Sequence, residues 1–238
     1  MVIGGSRGIG LGCAVALAEQ GASVVIVARS KGQVFETVNE MKSEGFSVSG
    51  APMDVSIIDN VKNLMGEYSD IDILVNSAGI ARHTPTVDTT ELDFDDVMSI
   101  NVRSAYFLAQ SAAKQMISKG TGGSIIQISS QMAHVGGIDR AVYCGTKHAI
   151  EGINKSMAIE FGPYKIRVNS ICPTFIRTPF TEPTFKDPEK VKWIESKIKV
   201  GRVGEVEDIM GAVKFLASDV SAMVTGSSIL IDGGWTAG

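Results

Sequence analysis

Tyr143 and Lys147 stand four residues apart, with Ser129 upstream in the stretch Ser129-Ser130-Gln131. On a helix that spacing puts phenol and ammonium on one face, about one turn apart. A neighbouring positive charge favours phenolate. The pair therefore reads as an acid/base whose phenol pKa is drawn below its usual value of about 10. Tyr-x-x-x-Lys alone equally describes an exposed helical pair, so its meaning depends on what the rest of the chain builds around it.

Apolar, β-branched runs occur at Val24–Ala28, Ser47–Ala51, Ile71–Val75, Ser124–Ser129, Arg167–Ile171 and Ser228–Ile231. Nearly continuous apolar character is expected of strands buried on both faces. Helical periodicity fills the gaps at Ile9–Gln20, Gln33–Ser43, Ile57–Tyr68, Phe94–Ser118, Val142–Phe161 and Val206–Ala217. The alternation predicts an α/β fold: a Rossmann-like, doubly wound parallel sheet of about seven strands with helices on both faces. The 238 residues read as one domain. Thr178–Val200, with three prolines and then a helical stretch, breaks the rhythm and is expected to form a lid over a ligand. Only Met1-Val2-Ile3 precede the first glycine loop, so the first strand is very short or the natural chain begins earlier.

That loop, Gly4-Gly5-Ser6-Arg7-Gly8-Ile9-Gly10, leads into an amphipathic helix. Glycines let backbone turn tightly against a diphosphate, whose charge then sits at the helix N-terminus. Gly4, Ser6, Arg7, Gly8, Ile9 and Gly10 are the expected contacts. At the end of the second strand, where an acid would bond a ribose 2′-hydroxyl, stand Arg29 and Ser30. With Arg7 they favour a 2′-phosphate, hence NADP(H), while leaving NAD(H) open. Asp54-Val55 after the third strand suits an adenine contact or, equally, a turn aspartate. Asn76-Ser77-Ala78-Gly79 ends the fourth strand; Asn76, Ala78 and Gly79 are expected beside a flat ligand.

The net charge of −4 and a pI near 5.4, without a Lys/Arg cluster, argue against a nucleic-acid partner. No apolar run is long enough to span a membrane. Cys13, Cys144 and Cys172 form neither a disulfide framework nor a metal motif, and fit a reducing cytoplasm.

Taken in order and spacing, the glycine loop, Asp54-Val55, Asn76-Ser77-Ala78-Gly79, Asn101, Ser129, Tyr143-x-x-x-Lys147, Pro173 … Thr178 and Asp232-Gly233-Gly234 resemble the short-chain dehydrogenase/reductase family. The resemblance covers essentially the whole chain and is nearest to gluconate 5-dehydrogenase-like members. It departs at Ile3, where the family usually has Thr, at Ser77, and at Thr174, where Gly usually follows Pro173. It implies an NAD(P)-dependent oxidoreductase interconverting a secondary alcohol and a ketone. Tyr143 would be the acid/base, Lys147 its support and a ribose ligand, Ser129 the bond to the substrate oxygen, and Asn101 the holder of a water near Lys147. Tyr143, Lys147, Pro173, Thr174 and Thr178 would meet the nicotinamide half.

Between Ser129 and Tyr143 lie Gln131, His134 and Arg140, and Arg177 adjoins Thr178. Such polar groups suit a small polar substrate: a polyol, sugar or sugar acid. His134 has no metal-ligating neighbours in sequence, so no metal is expected. The alternatives are a 3-oxoacyl thioester reductase and a non-catalytic dinucleotide-binding scaffold. The faces of the helices near Asn101–Ser118 and Val142–Phe161 resemble those that pair into homotetramers in the family.

Overall fold

The computed structural model describes residues 1–238. In chain order it contains β1 (Val2–Ile3), α1 (Gly8–Ala18), β2 (Val24–Ala28), α2 (Lys31–Ser43), β3 (Val48–Pro52), α3 (Ile58–Glu67), β4 (Ile73–Asn76) and α4 (Glu91–Met98). There follow α5 (Ala105–Lys119), β5 (Gly123–Ile128), α6 (Ala141–Phe161), β6 (Ile166–Pro173), α7 (Glu182–Phe185), α8 (Pro188–Lys197), α9 (Glu207–Ala217) and β7 (Ser228–Ile231). The strands form one parallel sheet ordered β3-β2-β1-β4-β5-β6-β7. The chain reverses its direction of winding between β1 and β4, the place where doubly wound sheets open a crevice at their carboxyl ends.

β1 survives its two-residue length because it is paired on both sides. Val2 and Ile3 stand opposite Ile26 and Val27 on one side and Val75 and Asn76 on the other. Backbone bonds carry the ladder past both ends: Val75 N–H donates to Met1 O (2.9 Å) and Gly4 N–H to Val27 O (2.7 Å).

Two apolar layers sandwich the sheet. Ile3, Leu74, Ile125 and Val168 pack with Leu108, Met116 and Met157 from α5 and α6. Val2, Ile26, Val75 and Ile126 pack on the opposite face with Leu17, Val34, Val38 and Val213 from α1, α2 and α9. Fully burying each such side chain contributes about 1.5–3 kcal/mol. The first helix is not the amphipathic one expected. α1 packs on both the sheet and α9, so it is buried and apolar around most of its circumference.

The helix expected at Phe94–Ser118 runs without a break from Glu91 to Lys119, but Ser99–Ser104 forms a π-helical segment inside it. Such a widened turn is costly in isolation and recurs at functional sites. Thr90 caps its start by accepting from Asp93 N–H (3.1 Å).

The expected lid contains the short helix α7 and then α8. Asp187 caps α8 by accepting from Glu189 and Lys190 N–H, with Pro188 at its first position. Its base is a small separate core of Phe175, Ile194, Ile198 and Val203. Trp235 near the C-terminus stacks on Phe175 (5.8 Å) and meets Trp193 edge-on (5.5 Å).

Candidate active site

A cleft of about 670 Å³ opens along the carboxyl ends of the strands. Its floor at one end is the glycine loop. Gly4 adopts φ +74° and a Cβ on Gly10 would lie 2.1 Å from Gly4 O, so this turn accepts no side chain at position 10. Thr37 Oγ1 ties the loop to α2 by donating to Ser6 O (3.1 Å). Gly8, Ile9 and Gly10 open α1 and line the cleft, giving an anion-binding helix N-terminus.

Gly4, Ser6, Arg7, Arg29, Ser30, Asp54, Val55, Ala78 and Gly79 all line this half, as expected, and Gln33 joins them. Burial pushes the Asp54 carboxyl up. The Ser56 hydroxyl and N–H, at 2.7 and 2.9 Å, and the Arg29 charge outweigh it and hold Asp54 below the usual range. Arg7 and Arg29 are exposed, beside Ser30 and Gln33, so the donors suit an anion on the adenosine side. A narrow glycine cradle, a helix N-terminus and cations one strand away fit a dinucleotide.

Tyr143, Lys147, Pro173, Thr174 and Thr178 line the other half. Lys147 is buried, donates to Ile128 O (3.0 Å) and places Nζ 5.6 Å from the Tyr143 ring centre. Burial lowers its pKa to about 8, against the Cys172 and Glu151 charges. Gly79 packs close to this end of the side chain, where a Cβ would lie 3.8 Å from Nζ.

The phenol does not behave as the sequence reading expected. Burial pushes the Tyr143 pKa up, and the groups that oppose it are the Ser130 hydroxyl and the Arg140 guanidinium. Lys147 is not among them. Desolvation of the phenolate is the larger effect, and the Lys147 cation is positioned over the ring rather than at the hydroxyl.

The serine expected to face the substrate is also displaced by one residue. Ser129 continues the β5 ladder, its N–H donating to Ile171 O (2.8 Å). Its hydroxyl is buried without a hydrogen-bond partner of ordinary geometry, beside Glu151 and Cys172, away from the phenol. Ser130 turns toward Tyr143 and caps the short turn Gln131–Ala133 by accepting from Met132 N–H (3.1 Å).

Four further residues sit behind or beside the cleft rather than in it. Asn76 donates to Gln127 Oε1 (2.8 Å) and accepts from Ala78 N–H (3.2 Å), so it shapes the Ser77–Gly79 turn from below. Asn101, in the π segment, grips Ile80 through N–H (2.8 Å) and C=O (2.9 Å) and donates to Thr146 Oγ1 (3.2 Å). Both of its amide donors and one acceptor position of Oδ1 join the β4 loop to α6, which leaves one lone pair of Oδ1 for the expected water. Arg177 pairs with Glu205 (3.2 Å) and lies over the Phe185 ring (5.0 Å), outside the cleft. The parallel bridge Ile176–Gly204 creates that pairing, and local sequence does not reveal it.

His134, exposed and pointing away from the cleft, is not the isolated histidine expected. One of its ring nitrogens, a Glu151 oxygen and Cys172 Sγ lie within 4.8 Å of one another. Glu151 accepts from Ser170 Oγ (2.7 Å), Ser228 Oγ and Cys172 Sγ (3.6 Å). Burial first, and then the Glu151 charge, push the Cys172 thiol up to about 12. Glu151 and Cys172 as folded therefore belong to a hydrogen-bonded cluster around a protonated thiol, and His134 adjoins it without a hydrogen bond of its own.

Burial raises the Glu151 carboxyl, but Ser228, Ser129, Ser170 and Cys172 together hold it below its ordinary value. A depressed folded-state pKa gives stability that is present above the unfolded value of about 4.3 and is lost as pH falls through the folded one. Glu151→Gln is expected to flatten the acid limb of thermal stability; parallel melting curves from pH 7 down to about 3 check this.

Gln131 and Arg140 line the cleft, as expected of substrate contacts. His83 and Phe175 line it too. Phe175 carries no sequence signal, since only the fold of the β6 loop brings it beneath Arg140, 5.3 Å from the guanidinium. No helix is long and apolar enough to cross a membrane.

The family model described as enoyl-(acyl carrier protein) reductase matches residues 3–236. L-xylulose reductase of Homo sapiens is 35% identical over 237 residues, covering 100% of this chain and 96% of that protein. Gluconate 5-dehydrogenase of Gluconobacter oxydans is 36% identical over 240 residues, covering 99% and 93%. The crystal structure of a gluconate 5-dehydrogenase from Burkholderia cenocepacia in complex with NADP and tartrate superposes with a TM-score of 0.96 at 33% identity, covering 99% of this chain and 94% of that one. With the cradle, the Tyr143–Lys147 pair and near-complete coverage in agreement, the chain belongs to the short-chain dehydrogenase/reductase family and is an NAD(P)-dependent alcohol/carbonyl oxidoreductase.

Proposed function

We propose that the protein uses NADP(H) to interconvert a secondary alcohol and a ketone on a polyol, sugar or sugar acid. One observation carries this reading: Tyr143, Ser130 and Lys147 converge on the same cleft as the dinucleotide cradle. The similarity to L-xylulose reductases and gluconate 5-dehydrogenases supports the substrate class. The bound nicotinamide supplies hydride in reduction and accepts it in oxidation. Tyr143 gives its phenolic proton to the carbonyl oxygen in reduction and takes the hydroxyl proton in oxidation. Ser130 fixes that oxygen against the phenol, and Lys147, anchored on Ile128 O, places positive charge beneath the ring and toward the cofactor ribose. Asn101 and Asn76 act as positioning residues for the loop after β4. A parallel screen of aldonates, alditols and ketoses with NADP(H) and NAD(H) tests the whole assignment; turnover of none of them overturns it.

Arg29, with Arg7 and Ser30, is the proposed receptor of the 2′-phosphate. A charge-assisted bond contributes about 1.5–3 kcal/mol, so Arg29→Asp should lower kcat/KM for NADPH by roughly tenfold or more. The value for NADH should change far less, which steady-state kinetics with both cofactors will show.

The same reading includes a homotetramer in the cytoplasm. The groove between α5 and α6 is lined by exposed Tyr106 and by half-buried Ile153 and Phe161, beside exposed Ile159, and its floor includes Ala113 and Met157. Three buried, unpaired thiols suit a reducing compartment. Light scattering should return about four times the chain mass of 25.2 kDa. A stable mass of one chain refutes the assembly.

A further inference from the structure

The substrate end of the cleft holds a cation with no ion-pair partner, the nearest carboxylate acting on it, Asp139, being exposed and out of contact. Arg140 is half-buried and lies immediately before α6, three residues ahead of Tyr143. None of the chain's ion pairs involves it. The hydrogen bond of its guanidinium joins Nη1 to His83 Nε2 (3.0 Å). Burial and the Arg140 charge press the His83 pKa down to about 4, so the ring is neutral and accepts. Asp139 lies next in the chain but is exposed and beyond ion-pair distance. Phe175 supports the guanidinium face at 5.3 Å, and the His83 ring meets the Tyr143 ring edge-on at 6.0 Å. A partly buried guanidinium without a counter-ion is unfavourable unless a ligand supplies one. Its planar fork matches a carboxylate.

Beside it, Gln131 is 1% exposed, and both its amide oxygen and its amide nitrogen lack a partner. Thr174 Oγ1, just after β6, is buried and unpartnered as well. The amide offers both a donor and an acceptor, which is what a hydroxylated carbon chain requires, but it is closed off from the cleft as it stands, so a ligand reaches it only when the side chain turns outward.

We infer that Arg140, held by His83 and Phe175, is the carboxylate receptor of this site, with Gln131 reading the adjoining hydroxyls, so that the enzyme selects polyhydroxy acids over neutral polyols and ketoses. This rests on the reading of the cleft as the active site. The test separates the two by measuring binding as well as turnover. The enzyme–NADPH complex cannot oxidise an aldonate, so calorimetry on it can compare four- to six-carbon aldonates with the alditols that carry CH₂OH in place of the carboxylate. The wild type should bind its preferred aldonate at least about tenfold more tightly than the matching alditol, the size of one charge-assisted contact. Arg140→Gln keeps an amide donor within reach of His83 and so should preserve the fold. It should remove most of the aldonate preference, and in turnover with NADP⁺ the loss should appear chiefly in KM. Arg140→Lys should restore part of it. Equal affinity for aldonates and alditols in the wild type, or an equal loss for both in Arg140→Gln, overturns the inference. Aldonate binding that depends on Arg140 without any turnover keeps the receptor and instead refutes the proposed reaction.

Discussion

Tyr143→Phe should lower kcat by at least about 100-fold in either direction, the lower end of what a positioned acid/base contributes. The substitution removes one oxygen and keeps the ring, so Lys147 retains its place over the aromatic face and His83 its edge contact. Cofactor affinity, followed by fluorescence quenching, should therefore change little. The direction of the pKa shift adds a second reading. Burial raises the phenol, with Ser130 and Arg140 opposing, so near neutral pH the free enzyme holds Tyr143 protonated. That state is ready to donate in ketone reduction. Alcohol oxidation needs phenolate, so its rate should climb as pH rises, whereas reduction should not. Wild-type kcat in the Tyr143→Phe variant, or an oxidation rate that falls from neutral to alkaline pH before the protein unfolds, would remove Tyr143 from the acid/base role.

The sheet was legible because its strands are buried on both faces and so read as unbroken β-branched runs such as Val24-Val25-Ile26-Val27. The glycine loop was legible because a backbone that must touch itself, with a Gly10 Cβ 2.1 Å from Gly4 O, admits one residue type. What was lost depended on pairings between distant segments. Arg177 looks like a pocket residue beside Thr178 until the Ile176–Gly204 bridge delivers Glu205 to it. His134 looks solitary until β6 and α6 bring Cys172 and Glu151 alongside. Asn76 and Asn101 carry the right residue types for a site, yet both engage their amides in tying neighbouring segments together, a distinction that spacing cannot make. The phenol pKa departs from its sequence expectation for a related reason. Helical spacing gives the proximity of Lys147 but says nothing of desolvation, which is the larger effect here.

The two adjacent serines give the second large effect, and strand parity decides between them. Along β5, Ile125 packs in the layer containing α5 and α6, and Gln127 Nε2 reaches Ala105 O at the start of α5. Ile126 and Ile128 face the opposite layer. Ser129 continues both the ladder and the alternation, which turns its hydroxyl toward Glu151 on α6. At Ser130 the strand has ended, the chain enters a tight turn and the alternation no longer applies, so this hydroxyl is free to meet the phenol. Ser130→Ala should accordingly cost roughly 10²–10³ in kcat, as for the loss of one donor to the reacting oxygen. Ser129→Ala should leave kcat within a fewfold of wild type, because what it removes is a buried hydroxyl without a partner of good geometry. Its effect should fall on the Glu151 cluster instead, as a change in the acid limb of the stability curve. The pair is informative because the two variants differ by one position and lose the same atom. The reverse ranking in kcat would return the catalytic serine to Ser129 and require the Ser130 hydroxyl to serve only as a cap for Gln131–Ala133.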